Sequence, residues 1–366
     1  MKTKFWKKQV SLLLAGVLFV SAFAGCGSKE TDKSGEATPA PTATEAPTAT
    51  EAPVQEESSE ITVTDQAGRT VTLEAPAQKI VSTYYISTAT LIALGCEDSL
   101  VGIEMKADTR ELYKLAAPQL LELPAVGSGK GINVEETAAL EPDLVIIPLK
   151  LQESAASFEA LDIPVFVVNP ETQEDFESCV ELLAQLCGQE EKGEALLSYY
   201  RDSMEQMQAL TADLEDKPLV YLPSGSSYLS TCTSKMYQND LIEMAGGVNV
   251  SADLQEGYWQ DISAEQLLEW NPEYMFPVSY AEYTLDDIRQ DSALAEMTAV
   301  KEDKIYTFPS EIEPWDYPTP SSVLGVLWLT QKLHPDLYSE EEYVEEAKSF
   351  YQTFFDIDVT EEQLGL

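Results

Sequence analysis

A duplicated segment constrains this chain more than any other feature. Asn133-Val-Glu-Glu-Thr-Ala-Ala-Leu-Glu-Pro-Asp-Leu-Val-Ile-Ile-Pro148 returns in altered form as Ser263-Ala-Glu-Gln-Leu-Leu-Glu-Trp-Asn-Pro-Glu-Tyr-Met-Phe-Pro277. In each copy a glutamate (Glu135, Glu265) opens a short helix, a proline seven residues later (Pro142, Pro272) ends it, and an apolar strand follows. Leu91-Ile-Ala-Leu-Gly95 and Leu241-Ile-Glu-Met-Ala-Gly246 form a second echo. A chain that repeats a helix–strand unit in its two halves is expected to fold as two like lobes.

Between the copies lies Gln189–Leu214, free of proline. Leu196, Tyr200, Met204, Met207, Leu210 and Leu214 recur at steps of three and four, so one apolar stripe runs along an otherwise charged helix. Pro218 closes it, and about 25 residues at ~1.5 Å each would make a rod of ~35 Å. That length suits a connector between lobes.

Around this frame the chain divides into six parts. Residues 1–26 read as an export leader: Lys2, Lys4, Lys7 and Lys8 precede an apolar run from Val10 to Phe23 that is short for a membrane span, and Phe23-Ala-Gly-Cys26 has the form of a lipobox. A lipidated Cys26 would hold the protein on the outer face of the bacterial cell membrane. Residues 27–60, rich in Pro, Thr, Ala and Glu, cannot bury enough surface to offset chain entropy and read as a disordered tether. Then come an N-terminal lobe (61–188), the bridging helix (189–214), a C-terminal lobe (215–338) and a helical tail (339–366).

In the first lobe, Ile61–Leu73 alternates around Ala67-Gly68 as a hairpin does, and Lys79–Thr83, Leu100–Ile103, Leu144–Pro148 and Val165–Val168 read as strands between helices. The second lobe repeats the rhythm, with strands at Leu219–Leu222, Tyr274–Val278 and Ile305–Phe308 and helices at Gln238–Ala245, Ala264–Trp270, Leu285–Glu296 and Ser321–Leu333. Alternating strands and helices predict an α/β fold with mainly parallel central sheets.

Charge excludes one class of partner. With 64 acids against 22 bases and a formal net charge of −42, the chain would be repelled by nucleic acid. Cys179 and Cys187, eight apart on one helix and so ~12 Å along it, cannot bridge each other. Cys96 and Cys232 lack ligand-like spacing, so these four cysteines are expected to be buried thiols rather than a disulfide frame or metal site. His334 is the single histidine, in a Leu-His-Pro turn, which argues against a histidine-based catalytic dyad and against a histidine-rich zinc or manganese site. Gly127-Ser-Gly-Lys-Gly131 is not a phosphate loop: Pro124 stands where the first glycine belongs and Gly131 where a hydroxyl should hold magnesium.

The run Lys79-Ile-Val-Ser, Ala-Leu-Gly95, Val101-Gly102, Asn133-Val-Glu135, Pro142-Asp-Leu-Val145 and Ile163-Pro-Val165, continued by Ala245-Gly-Gly-Val-Asn249, Trp259, Ile262-Ser-Ala-Glu265, Asn271-Pro272 and Leu333-His-Pro335, resembles the class III periplasmic-binding domain shared by ferric-siderophore, haem and cobalamin carriers of ABC importers. The resemblance covers about residues 79–338. It implies two lobes bridged by one long helix, a ligand cleft between them with little closure, no catalysis and no intrinsic cofactor. It also implies a monomer that delivers its solute to a permease with its ATPase, Glu135 and Glu265 each pairing with arginines of that permease. A bland reading accounts for both glutamates as favourable charges at helix starts.

Ligands of open α/β sheets sit beyond the carboxyl ends of the strands. Those positions here include Tyr84, Tyr85, Lys106, Arg110, Lys130 and Lys150 in the first lobe and Tyr228, Trp259, Trp315 and Tyr317 in the second, with Tyr258 and Tyr280 beside them. Aromatic walls with a few cations suit a planar or bulky anionic chelate. The expected ligand is a ferric siderophore or a corrinoid; haem, an oxyanion such as molybdate, and a non-transport sensory module on the same fold are the alternatives.

Overall fold

Gly68, with φ at +78°, turns β1 (Ile61–Thr64) back onto β2 (Thr70–Leu73) in an antiparallel hairpin. The Asp65 carboxylate accepts from the amides of Ala67 and Arg69 and from Val167 of an edge strand, so the turn is tied to the sheet it covers. The structure, a computed structural model, describes residues 60–309 and 311–366. The leader, Cys26 and the tether up to residue 59 lie outside the described residues. Among the described residues no helix is long and apolar enough to cross a membrane.

The first lobe holds a six-stranded sheet of β3 (Ile80–Ser82), β4 (Leu100–Glu104), β5 (Ala125–Ser128), β6 (Gly131–Ile132), β7 (Leu144–Pro148) and β8 (Val165–Val168). The order is β6-β5-β4-β3-β7-β8, and every neighbouring pair is parallel except β5–β6. β3, β7 and β8 are buried along their whole length, as continuous Val/Ile runs covered on both faces require. The helices are α1 (Tyr85–Ala93), α2 (Glu111–Ala116), α3 (Val134–Ala138) and α4 (Ala155–Glu159). The glycine-rich stretch at 127–131 is the β5–β6 hairpin: a Cβ on Gly127 would stand 3.0 Å from the Gly131 carbonyl.

α5 (Gln173–Cys187) ends on Gly188 in the left-handed region, and the chain reverses into α6 (Glu190–Thr211), the connector. Its 22 residues span ~33 Å. Gly193 allows the two helices to touch, because a Cβ there would lie 2.6 Å from that of Ala184. Leu196, Tyr200, Met204 and Met207 are buried as their spacing predicts; the stripe continues through Thr211, while Leu210 and Leu214 are only half-buried.

The second lobe is built on β9 (Leu219–Tyr221), β10 (Ser230–Thr231), α7 (Tyr237–Met244), β11 (Val248–Asn249), β12 (Gln260–Asp261), α8 (Ala264–Trp270) and β13 (Tyr274–Met275). β11, β9 and β13 form a parallel sheet in that order. The strand expected at Ile305–Phe308 is reduced to single bridges from Met275 to Ile305 and from Val278 to Phe308. The helix expected over Leu285–Glu296 stops at Gln290 as α9 (Leu285–Gln290), since Asp291 is extended; α10 (Thr298–Lys301) and α11 (Ser322–Leu333) follow.

α12 (Glu340–Phe355) starts on a Ser339–Glu342 capping box and packs against α1 and α11, with Phe350 and Phe354 on the Tyr199 ring of the connector. One hydrophobic cluster runs through both lobes, from Ile80 and Phe176 through Tyr200 to Val220 and Phe276. Tyr200 fastens it: its hydroxyl contacts the Tyr237 hydroxyl, the Thr319 carbonyl and Ser322.

Candidate ligand cleft

The carboxyl ends of β3, β4, β7 and β8 open into two adjoining cavities. The one of about 530 Å³ is lined by Tyr84, Gly129, Lys150, Asn169 and Glu171 of the first lobe and Tyr258 of the second. The other, about 320 Å³, is lined by Tyr85, Arg110 and Tyr113 of the first lobe and Tyr280, Glu313 and Tyr317 of the second. Tyr84 and Tyr85 stand edge to face at 5.4 Å between ring centres and form the ridge between the cavities. The lobes meet beside the smaller cavity, where Leu112 N–H donates to the Ile312 carbonyl at 3.1 Å.

The smaller cavity is a tyrosine box with one cation. Tyr317 meets Tyr85 edge to face at 5.8 Å and stacks on Tyr280 at 5.7 Å. The Arg110 guanidinium lies 4.3 Å from the centre of the Tyr85 ring. Among the described residues its buried Nε has no hydrogen-bond partner.

Carboxyl groups lie beneath this box. Glu104 is buried, accepting from Thr88 at 2.8 Å and from Tyr113 at 2.6 Å, and burial raises its pKa. Glu313 is 4 % exposed; burial pushes its carboxyl up to about 7, tempered by nearby Ser321, Thr319 and Arg110. Asp316 is fully buried and accepts from the Tyr280 hydroxyl through Oδ2, while Oδ1 has no partner among the described residues; burial pushes it up to about 6. Near neutral pH the raised pKa leaves the Glu313 carboxyl partly protonated, and Glu111 and Glu311 line the same cavity.

Of the residues expected at the site, Tyr84 and Lys150 line the larger cavity and Tyr85, Arg110 and Tyr317 the smaller. Lys106 and Lys130 are exposed and belong to neither lining. Trp259 is half-buried against the main core, and its neighbour Tyr258 reaches the cavity instead. Tyr228 packs edge to face on Tyr283 and donates to Asp291 at 3.1 Å, outside both cavities. Trp315 requires correction: it is 1 % exposed, its Nε1 donates to the Tyr351 hydroxyl at 2.9 Å, and its ring meets Tyr343, so it is a core residue. Asn169 and Glu171 follow β8, where the strand-end rule would have found them. Glu313 and Asp316 carry no periodic signal.

Glu135 and Glu265 are exposed in the first turns of α3 and α8. Their helices are capped alike, Asn133 accepting from the Glu136 amide at 3.2 Å and Ser263 from the Gln266 amide at 3.1 Å. Backbone N–H and the Ser263 hydroxyl hold Glu265 below the usual carboxylate range. His334 is buried with Nε2 3.2 Å from the Gly246 carbonyl, a structural role.

Comparison with known proteins agrees with this architecture. The periplasmic binding protein family model matches residues 80–312. The chain is 25% identical over 317 residues to the molybdate-binding protein MolA of Haemophilus influenzae, covering 80% of this chain and 90% of that one. It is 27% identical over 214 residues to a vitamin B12-binding protein of Yersinia pestis, covering 58% of this chain and 73% of that one. A periplasmic solute binding protein of Veillonella parvula superposes with a TM-score of 0.72 at 27% identity, covering 83% of this chain and 95% of that one. Duplicated helix–strand units, one connecting helix, a cleft at the strand ends and a family match over most of the folded part lead to one conclusion: the chain belongs to the periplasmic binding protein family, in the class III substrate-binding components of ABC transporters.

Proposed function

We propose that the chain is a lipid-anchored receptor of an ABC importer and that its cargo is an anionic metal species, a metal oxyanion or a compact ferric chelate, held in the interlobe cleft. The observation that carries this reading is Arg110. It is a cation in a chain of net charge −42, held against Tyr85 at the cleft wall with a buried Nε that no group among the described residues satisfies. An unpartnered buried donor is costly unless a ligand completes it, and guanidinium donors match oxyanions geometrically. Tyr317 would supply a hydroxyl, Tyr280 and Tyr317 flat walls, and Lys150 a second cation in the larger cavity. Cavities of about 320 and 530 Å³ fall in the range of small-molecule sites. Molybdate is a natural first probe, since the relative from Haemophilus influenzae is named for binding it.

Calorimetric titration of the full chain with molybdate, ferric siderophores, haem and cobalamin tests the reading. Saturable binding of an anionic species, weakened by Arg110→Gln, supports it; binding of cobalamin alone, indifferent to Arg110, overturns it.

Delivery is assigned to Glu135 and Glu265. They occupy equivalent, exposed positions in the first turns of side-chain-capped helices, one per lobe, as two-point docking onto a pseudo-symmetric permease requires. Glu135→Ala and Glu265→Ala should spare solute binding and lower solute-stimulated ATP hydrolysis in a reconstituted transporter. Unchanged hydrolysis would refute the assignment.

A further inference from the structure

We propose that Glu313 and a bound oxyanion share a single proton in the smaller cavity, so that the protein takes up a proton when it captures its solute. The inference rests on the anionic-cargo reading above and adds a second polar group to it. Arg110 and Glu313 line the same cavity of about 320 Å³. Each has a buried polar atom without a hydrogen-bond partner among the described residues: Nε–H of Arg110, which only donates, and Oε2 of Glu313, which in the ionised form only accepts. The two do not satisfy each other. Glu313 is fixed from both sides, since the Ile312 carbonyl before it accepts from Leu112 of the first lobe at 3.1 Å and the Trp315 indole two residues on donates to Tyr351 at 2.9 Å. At 4 % exposure it is screened from bulk water.

An oxyanion drawn to Arg110 meets a carboxyl lone pair in the same cavity. Two ionised acceptors confined there repel, and one proton placed between them turns the repulsion into a charge-assisted O–H···O⁻ hydrogen bond. The carboxyl is suited to carry it. Burial, opposed by Ser321, Thr319 and Arg110, pushes Glu313 up to about 7, so the free protein holds this proton at pH 6 and has released most of it at pH 8. Binding restores it, the proton coming from bulk water. Other titratable groups share these surroundings. Arg110, Glu111, Tyr85 and Tyr113 line the cavity from the first lobe, with Glu111 paired to Lys114 at 3.0 Å and Glu104 behind Tyr113 at 2.6 Å. Glu311, Tyr280 and Tyr317 line it from the second. On the core side Tyr200 and Tyr351 feel the charge of Glu313, and Asp316, tied to the Tyr280 hydroxyl, stands outside the lining. Burial raises these tyrosines, which stay neutral, so the test must tell Glu313 from the other carboxyls.

The test is calorimetric titration of the full chain with sodium molybdate, and separately with a ferric tris-catecholate, at pH 6 and pH 8 in two buffers of different ionisation enthalpy. The buffer dependence of the heat counts the protons taken up. The expected result is about one proton per anion at pH 8, little uptake at pH 6, and affinity about 10-fold weaker at pH 8. Glu313→Gln, whose amide donates as the protonated acid does, should take up no proton and bind equally at both pH values. A second measurement needs no variant: with 13C-glutamate in the wild-type chain, the bound-minus-free infrared spectrum at pH 8 should gain a protonated-carboxyl C=O band at the label-shifted position, which separates Glu313 from Asp316. Anion binding without proton uptake at pH 8, or uptake that survives Glu313→Gln, would overturn the proposal and leave the anionic-cargo reading standing. Binding of neither anion at either pH overturns both.

Discussion

Arg110 and Tyr85 face each other across the cleft wall with the guanidinium carbon 4.3 Å from the ring centre. The ring satisfies the face of the guanidinium and leaves its edge, where the donors lie, for a ligand. Among the described residues Arg110 forms no ion pair, although its charge reaches the buried carboxyls of Glu104 and Glu313. With carboxyls nearby but none paired to it among the described residues, Arg110 keeps donor positions at the cleft wall for a ligand.

Arg110→Gln should therefore weaken binding of an anionic solute about 10- to 100-fold, the loss expected for one or two charge-assisted hydrogen bonds. Arg110→Lys should recover only part of the affinity, because an ammonium offers no planar fork. Titration calorimetry of the three chains side by side provides the check.

Glu313 should make the protein less stable as pH rises. Its folded pKa, about 7, lies above its ordinary value of 4.5, so the folded state binds more protons than the unfolded state between those values. Its contribution is neutral below about pH 4.5 and grows to an order of 3 kcal/mol of destabilisation above about pH 7. Asp316, raised from 3.8 to about 6, acts with the same sign. In urea unfolding from pH 4 to 8, Glu313→Gln should flatten the decline; a slope identical to wild type would contradict it.

Gly246→Ala should be strongly destabilising. Gly246 has φ at +79°, and a Cβ there would lie 2.5 Å from the Thr211 methyl at the end of the connector helix. Left-handed strain and a clash with a buried side chain together predict a loss of about 2–4 kcal/mol, measurable as a lowered urea midpoint.

Trp315→Phe separates core from cleft. The variant loses the hydrogen bond to Tyr351 and should lose about 1–2 kcal/mol of stability while binding solute as wild type does. A change in affinity would return Trp315 to the cleft.

The class of fold was legible because buried strands such as Val165–Val168 are uninterrupted apolar runs and because the connector is an unbroken amphipathic helix. The second lobe was harder to read. Its strands are two or three residues long, and at that length apolar side chains record burial without recording pairing. The β5–β6 hairpin escaped notice because glycines that permit a close backbone approach look, in sequence, like those of a loop. At the cleft, position after a strand found Tyr84, Tyr85 and Arg110 but could not tell Trp315 from Tyr317: two residues apart on one irregular segment, one side chain turns into the core and the other toward the ligand.

α12 ties together elements made far apart along the chain. α12 supplies Tyr351 to the Trp315 indole and Phe350 to the Tyr199 ring of the connector, and it packs on α1, made some 250 residues earlier. Without α12, the Tyr199 ring of the connector and the Trp315 indole of the second lobe would lose the aromatic side chains that cover them. Until α12 is made, the rings of Tyr199 and Trp315 lack the covering they have in the folded protein, so the connector and the second lobe complete their aromatic packing only after that helix has been synthesised.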